Sequence, residues 1–272
     1  MKMTMLGTGR AVVTECYNTC FVLSDNDKFF LVDGGGGSGI LRQLKDAGID
    51  WRKIQDIFVT HKHMDHILGV MWMIRMITQA MKQDVYEGKV RIYGHKKVLL
   101  ILDDMSHMLL SKKETEFIGE RLLFIPVSDG DVYEIIGHKT TFFNIHSSKT
   151  KQHGFSMYLN ETDKLSCCGD EPYNDSERMY VQGSRWLLHE AFCLAEDAEI
   201  YAPYEKHHST VKDACITAEK LHVENLVLYH TEDSDIGRRK ERYTAEGRQY
   251  YSGNLYVPDD LETICLTEEE KE

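Results

Sequence analysis

Thr60-His61-Lys62-His63-Met64-Asp65-His66 decides how this chain is read. It follows an apolar run, Ile57 to Thr60, that has the composition of a strand. Residues two apart share a side of an extended backbone and oppose one another on a helix, so His61, His63 and Asp65 converge only on extended chain. The segment therefore reads as a post-strand loop, with His66 joining from the start of a helix over Ile67 to Met81. Three imidazoles and a carboxylate without thiolates make a donor set for zinc, and manganese or iron also fits it. The carboxyl end of a strand is where open α/β sheets build their sites.

Around that segment the chain alternates. Strands are expected at Lys2 to Leu6, Cys20 to Leu23 and Lys28 to Val32, and a helix from Ser38 to Gly48 through Ile40, Leu41, Leu44 and Ala47. A strand-rich stretch follows, with Leu122 to Val127, Val132 to Ile136, Thr140 to Ile145, Phe155 to Leu159 and Lys164 to Cys168. Alternation then returns as strand Trp186 to Leu188, helix Thr210 to Leu221 and strand Leu226 to Tyr229. This mixture predicts a layered α/β sandwich rather than a bundle or barrel. His146, Asp170 and His230 each follow one of these strands, which makes them further ligand candidates. His153 competes with His146; the strand-exit argument favours His146, since His153 opens the next strand. His95, His107 and His138 read as surface or packed histidines.

No linker, repeat or low-complexity stretch marks a boundary, so residues 1–272 are expected to form one domain. Gly34 to Gly37 lacks a following Lys-Ser/Thr, and Gly7-Thr8-Gly9 lacks a third glycine, so neither is a phosphate loop. The apolar stretch from Gly69 to Ile77 is broken by Arg75 and is too short to cross a bilayer. With no signal peptide legible at Met1 to Gly9, and seven cysteines without zinc-finger spacing that read as reduced thiols, a cytoplasmic protein without a membrane partner is expected. The net charge of −12 opposes a broad nucleic-acid surface. Part of that excess sits in the tail, Thr267 to Glu272, which reads as a solvated end.

His61-Lys62-His63-Met64-Asp65-His66 matches the H-x-H-x-D-H signature of the metallo-β-lactamase superfamily, and its surroundings resemble ribonuclease Z, which trims tRNA 3′ ends. The likeness takes in Leu6-Gly7-Thr8-Gly9, Asn18-Thr19, Val32-Asp33-Gly34, Gln43-Leu44, Leu188-His189-Glu190-Ala191, His208-Ser209-Thr210 and Val227-Leu228-Tyr229-His230. It implies an α/β fold, the four-layer αβ/βα sandwich of the metallo-β-lactamase fold, with two metal ions. One ion would be held by His61, His63 and His146, the other by Asp65, His66 and His230, with Asp170 bridging. A water shared by the ions would become the attacking hydroxide. Asp65 would hold or accept its proton, Glu190 would orient His208, and His208 would protonate the departing oxygen or bind the phosphate. Asp33 would orient the ligand loop. His189 and His207 are then decoys.

Departures bear on the substrate. The basic arm with which bacterial ribonuclease Z grips tRNA lies between the third histidine ligand and the bridging aspartate, and Asp170 follows His146 by only 24 positions. Gly69-Val70-Met71-Trp72 replaces Gly-Leu-Pro-Gly, Phe192 replaces the threonine of H-E-A-T, and Tyr17 stands where arginine is usual. The expected activity is a phosphodiesterase without the RNA grip, acting on an anionic substrate; the charge disfavours RNA itself. A carboxylic-ester, lactone or thioester hydrolase on the same metals is the alternative, and a non-hydrolytic or oxygen-handling metal protein a third reading. The resemblance also implies a homodimer. The aromatic stretch Tyr243 to Tyr256 is read as packing of a terminal helix, with a cleft cap or an interface as its other roles.

Overall fold

In the computed structural model the described residues are 1–267, and the acidic run at 268–272 lies outside them. The chain divides into two compact units. The first comprises Met1–Gly7, Thr19–Ser128 and residues 261–267, and the second Thr8–Asn18 and Asp129–Asp260.

The first unit is built on a seven-stranded sheet, with strands numbered along the whole chain. They are β1 (Lys2–Gly7), β2 (Cys20–Asp25), β3 (Lys28–Val32), β4 (Ile54–Val59), β5 (Val90–Gly94), β6 (Leu122–Pro126) and β14 (Thr263–Cys265), ordered β14-β1-β2-β3-β4-β5-β6. β1 to β3 pair antiparallel, whereas β3 to β6 pair in parallel. Parallel strands are covered on both faces, which is why Phe30–Val32 and Ile57–Val59 are continuous apolar runs and fully buried. The helices α1 (Gly39–Asp46), α2 (Met64–Lys82), α3 (Lys96–Leu109) and the one-turn α4 (Lys112–Thr115) complete it.

α2 begins three residues earlier than its apolar period suggested. His63 is its N-cap in extended conformation, so Asp65 and His66 occupy the first turn rather than loop and helix start. A carboxylate is favoured there by the positive end of the helix dipole. The turn is fixed against the loop after β3: Gly34 N–H donates to the His66 carbonyl at 2.9 Å and Gly69 N–H to that of Gly35 at 2.8 Å. A Cβ on Gly69 would collide with the Gly34 carbonyl, so this approach requires glycine.

The second unit carries β7 (Val132–Ile135), β8 (His138–Asn144), β9 (His153–Tyr158), β10 (Lys164–Cys167), β11 (Trp186–Glu190), β12 (Asn225–Tyr229) and β13 (Asn254–Tyr256), paired in that order. β7 to β10 form an antiparallel meander and β10 to β13 run parallel. Its helices are α5 (Arg178–Val181), α6 (Ala198–Tyr201), α7 (Val211–Lys220) and α8 (Ile236–Gly247). His138, expected in a turn, opens β8 opposite Ile135. The aromatic stretch packs inward at Tyr243 on α8 and at Tyr251 beyond it, which belong to the core with Val211, Ala214 and Leu226. Their hydroxyls donate to the carbonyls of Phe192 and Val223. Buried Arg239 joins Thr8 and Thr231 at 2.9 Å each and the Pro258 carbonyl at 2.9 Å, which fixes the chain on either side of His230 and Gly9.

No cysteine is disulfide-bonded. Among the described residues, no helix is long and apolar enough to cross a membrane.

A buried acid in the second unit gives a stability prediction. Glu177 is fully buried, accepts from Asn174 Nδ2 at 2.6 Å, and lies beside the Cys168 thiol. Burial raises its carboxyl from 4.5 to about 8. The folded form thus keeps a proton that the unfolded chain has released, so this contribution is complete below pH 4.5 and is lost as pH rises through about 8. The urea midpoint should fall between pH 6 and pH 8.5, and Glu177→Gln should flatten that fall; an equal fall in the variant would exclude Glu177 as its source.

Candidate metal centre

The first unit gathers four donors at the exit of β4. His61 Nε2 lies 2.8 Å from His63 Nδ1, and His66 Nε2 lies 3.2 Å from Asp65 Oδ2. Ligands around a tetrahedral zinc with bonds of about 2.0–2.1 Å are separated by roughly 3.3 Å, so both pairs have the spacing of neighbours in one coordination sphere.

The ring nitrogens are assigned by what lies behind them. Asp33, buried, accepts from the Thr60 N–H at 2.9 Å and the Thr60 hydroxyl at 2.8 Å. Since that hydroxyl donates to Asp33, it accepts from His61 Nδ1–H at 3.0 Å. His66 Nδ1 meets Asp33 Oδ2 at 2.8 Å and donates to it. Both rings therefore carry their proton at Nδ1 and present Nε2 lone pairs, the form a metal requires. Asp33 sits at φ 56°, a left-handed conformation that aspartate adopts more readily than most side-chain-bearing residues. Asp33→Ala should weaken zinc binding about 10- to 100-fold with the fold intact, measured by competition against a chromophoric chelator. Unchanged affinity would reduce Asp33 to a turn residue.

The second unit places its candidates at the ends of β8, β10, β11 and β12. His230 follows β12 with φ 57°, and its Nε2 lies 3.6 Å from Asp170 Oδ2. Gln152 Nε2 donates to Asp170 Oδ1, a support that sequence reasoning missed because Gln152 has no motif. His146 leaves β8 with φ 56° and an exposed ring, its N–H donating to Asn144 Oδ1 at 3.0 Å. His153 opens β9 and is buried.

Beside His230, Glu190 is wholly buried at the end of β11. Its Oε1 accepts from the Ser209 N–H at 2.5 Å and the Ser209 hydroxyl at 2.6 Å, and Oε2 faces His208 Nδ1 at 3.5 Å. The donor atoms of Glu190, His208 and His230 lie within 4.8 Å of one another. Burial raises the Glu190 carboxyl to about 7 and lowers the His208 imidazole to about 4. A carboxylic acid facing Nδ1 of a neutral imidazole leaves the Nε2 proton pointing outward, which is what a proton donor needs. His189 is a decoy, accepting the Tyr173 N–H at 3.1 Å and bonding the Glu190 carbonyl at 2.6 Å. His207 ends a helical turn at φ 56°, 3.3 Å from the Ser148 hydroxyl. His95 caps α3, His107 pairs with Asp103, and His138 bonds the Tyr158 carbonyl.

Comparison with known proteins places these clusters in context. The family model described as anti-Pycsar protein Apyc1 matches residues 1–246. Ribonuclease Z of Thermococcus sibiricus is 24% identical over 313 aligned positions that take in 98% of this chain and 97% of that protein. The metallo-β-lactamase fold protein YhfI of Bacillus subtilis superposes with a TM-score of 0.77 at 17% identity, over 97% of this chain and 98% of its own. The short form of human tRNase Z superposes with a TM-score of 0.74 at 19% identity, over 98% of this chain and all of its own. A diphosphatase of the PhnP family gives 0.70 at 17% identity, over 97% of each chain. The fold is thus the α/β metallo-β-lactamase fold, as the signature implied.

Proposed function

This chain belongs to the family described as anti-Pycsar protein Apyc1, and from that premise we propose that it is a metal-dependent phosphodiesterase acting on small phosphodiesters. The observation that carries the reading is the pair of donor clusters at strand ends, spaced as coordination neighbours and with the His61 and His66 tautomers fixed by Asp33 and Thr60.

In this reading His61, His63 and His146 would hold one divalent ion and Asp65, His66 and His230 the second, with Asp170 serving both. Zinc is the proposed metal, from the histidine-rich donor set. His146 is kept as third histidine because an exposed ring at a strand exit is one an incoming ion can reach. When bound, the ions lower the pKa of a shared water and offset charge on the attacked phosphorus. Asp65 would hold that water and take its proton; Glu190, as the carboxylic acid facing Nδ1, would pass its proton to that nitrogen as His208 gives its Nε2 proton to the departing oxygen, so the imidazole ends the step neutral.

Ribonuclease Z relatives that align along nearly the whole chain support diester chemistry, as does the diphosphatase neighbour. The alignment of 313 positions exceeds the 272 of this chain, so the relative has segments missing here. Together with the net charge of −12, this favours a compact diester over tRNA. Homodimeric assembly and a cytoplasmic location belong to the same proposal, the latter supported by seven free thiols.

The test is a substrate panel with zinc-loaded protein: bis(p-nitrophenyl) phosphate, a pre-tRNA, a lactone and a thioester. Cleavage of the diester with little action on the others supports the proposal. Turnover of lactone or thioester without diester cleavage replaces it with the ester-hydrolase reading.

A further inference from the structure

Two side chains with no part in the reaction above lie against His208, Phe192 and Lys149, and two more, Arg10 and Lys206, lie against Phe192. The Phe192 ring stacks on the His208 imidazole with centroids 4.7 Å apart and planes 18° apart. The Arg10 guanidinium lies 5.1 Å from the Phe192 centroid and the Lys206 ammonium 5.4 Å from it. Lys149 Nζ lies 3.4 Å from His208 Nε2, the outward nitrogen.

The three cations come from separate stretches of the second unit, and their backbones are anchored. Arg10 N–H donates to the Thr231 carbonyl at 2.9 Å, next to His230, and its own carbonyl accepts from Asn18 Nδ2 at 2.7 Å. Lys206 closes a helical turn with its N–H donating to the Pro203 carbonyl at 3.0 Å, and its ammonium Nζ donates to the Tyr201 carbonyl at 2.6 Å. Lys149 lies on the connection from β8 to β9. Among the described residues, none of the three is ion-paired with a carboxylate. In a chain with net charge −12, three cations stand around one pair of rings, where the carboxylates of Asp170 and Glu171 also act on His208. Cation–π contact accounts for Arg10 and Lys206 at Phe192, whereas the Lys149 ammonium, which can only donate, bonds His208 Nε2 when that nitrogen is unprotonated and faces a second donor when it carries the proton. Their mutual repulsion is relieved by an anion lodged among them. Phe192, the platform, stands where the ribonuclease Z pattern has threonine, so the arrangement is not part of the RNA-gripping pattern.

We infer that Arg10, Lys149 and Lys206 form a subsite for a phosphate-type oxyanion, which holds the charged part of the substrate beside His208 and makes the centre prefer anionic diesters over neutral esters. The inference rests on the hydrolase reading for its reaction but not for its ligand. The His208 and His230 ring centroids are 5.1 Å apart, so the ring that Lys149 faces is itself beside a proposed metal ligand.

Metal-loaded full-length protein is titrated with inorganic phosphate by calorimetry, in parallel with turnover of bis(p-nitrophenyl) phosphate and of neutral p-nitrophenyl acetate. For Lys149→Gln, and separately for Arg10→Gln and Lys206→Gln, phosphate affinity should fall about tenfold, as expected on losing a charge-assisted contact. The KM for the diester should rise by a similar factor and depend less on salt, while kcat/KM for the neutral ester stays unchanged. Lys139→Gln, an exposed lysine on β8, controls for bulk charge and should change nothing. Unchanged phosphate affinity in the three variants overturns the subsite, as does an equal loss on both substrates, the mark of a packing role. Lys149 is exposed, so that variant keeps the question open to measurement if Arg10→Gln misfolds. A wild type that cleaves no diester defeats the hydrolase reading alone, and the phosphate titration still decides the subsite.

Discussion

Asp65→Ala is expected to lower phosphodiester turnover by at least about 10³-fold, on the order of 4 kcal/mol of transition-state stabilisation. Two losses combine. Asp65 is the only carboxylate in the signature, and its Oδ2 lies 3.2 Å from His66 Nε2, so one proposed ion loses a ligand. The attacking water also loses the group that holds it and takes its proton. The variant should bind one ion fewer than wild type, by atomic emission on dialysed protein. Chelation of wild type should abolish activity and zinc should restore it. Asp65 is in the first helical turn and nearly buried, so circular dichroism must first show that the fold survives. A folded variant that keeps wild-type turnover would remove Asp65 from the chemistry.

The second large effect concerns proton delivery. His208→Ala should reduce kcat by roughly 10²- to 10⁴-fold on a diester with an alkoxide leaving group, and far less on one releasing p-nitrophenolate, which departs without a proton. The pH dependence has a definite sign. Glu190 titrates at about 7, and as pH rises through that value its carboxylate draws the imidazole proton to Nδ1, leaving Nε2 unable to donate. Activity on the alkoxide substrate should therefore fall on the alkaline side with an apparent pKa near that of Glu190, and Glu190→Gln should remove this limb while lowering the plateau. Equal losses on both substrates in His208→Ala would assign the ring to binding instead.

The signature was legible because its geometry is local: a strand exits, three extended residues follow, and a helix begins. The strand-exit positions of Asp170 and His230 were legible for a related reason, since an apolar run ending in a polar residue marks the end of a buried strand. Other features depend on contacts that sequence order does not reveal. Arg10 belongs to the second unit because Gly9 bridges to Asn18 and Thr231, and nothing in residues 8–18 indicates it. Gln152 and Lys149 lie in a connection whose path sets their partners. α3 escaped because its apolar positions are diluted by Lys and Asp, and α8 begins at Ile236, ahead of the terminal helix expected at Tyr243, because its charged first turns carry no apolar period. β9 began at His153 instead of Phe155 because pairing with Asn144 carries the ladder further than strand composition implies.

The most direct test of the account is an anomalous-diffraction structure of the zinc-loaded protein. It predicts two ions about 3.5–4 Å apart, one touching His61, His63 and His146, the other Asp65, His66 and His230, with Asp170 on both. A fully loaded crystal with a single ion, or with ions that touch neither Asp170 nor His230, would contradict it.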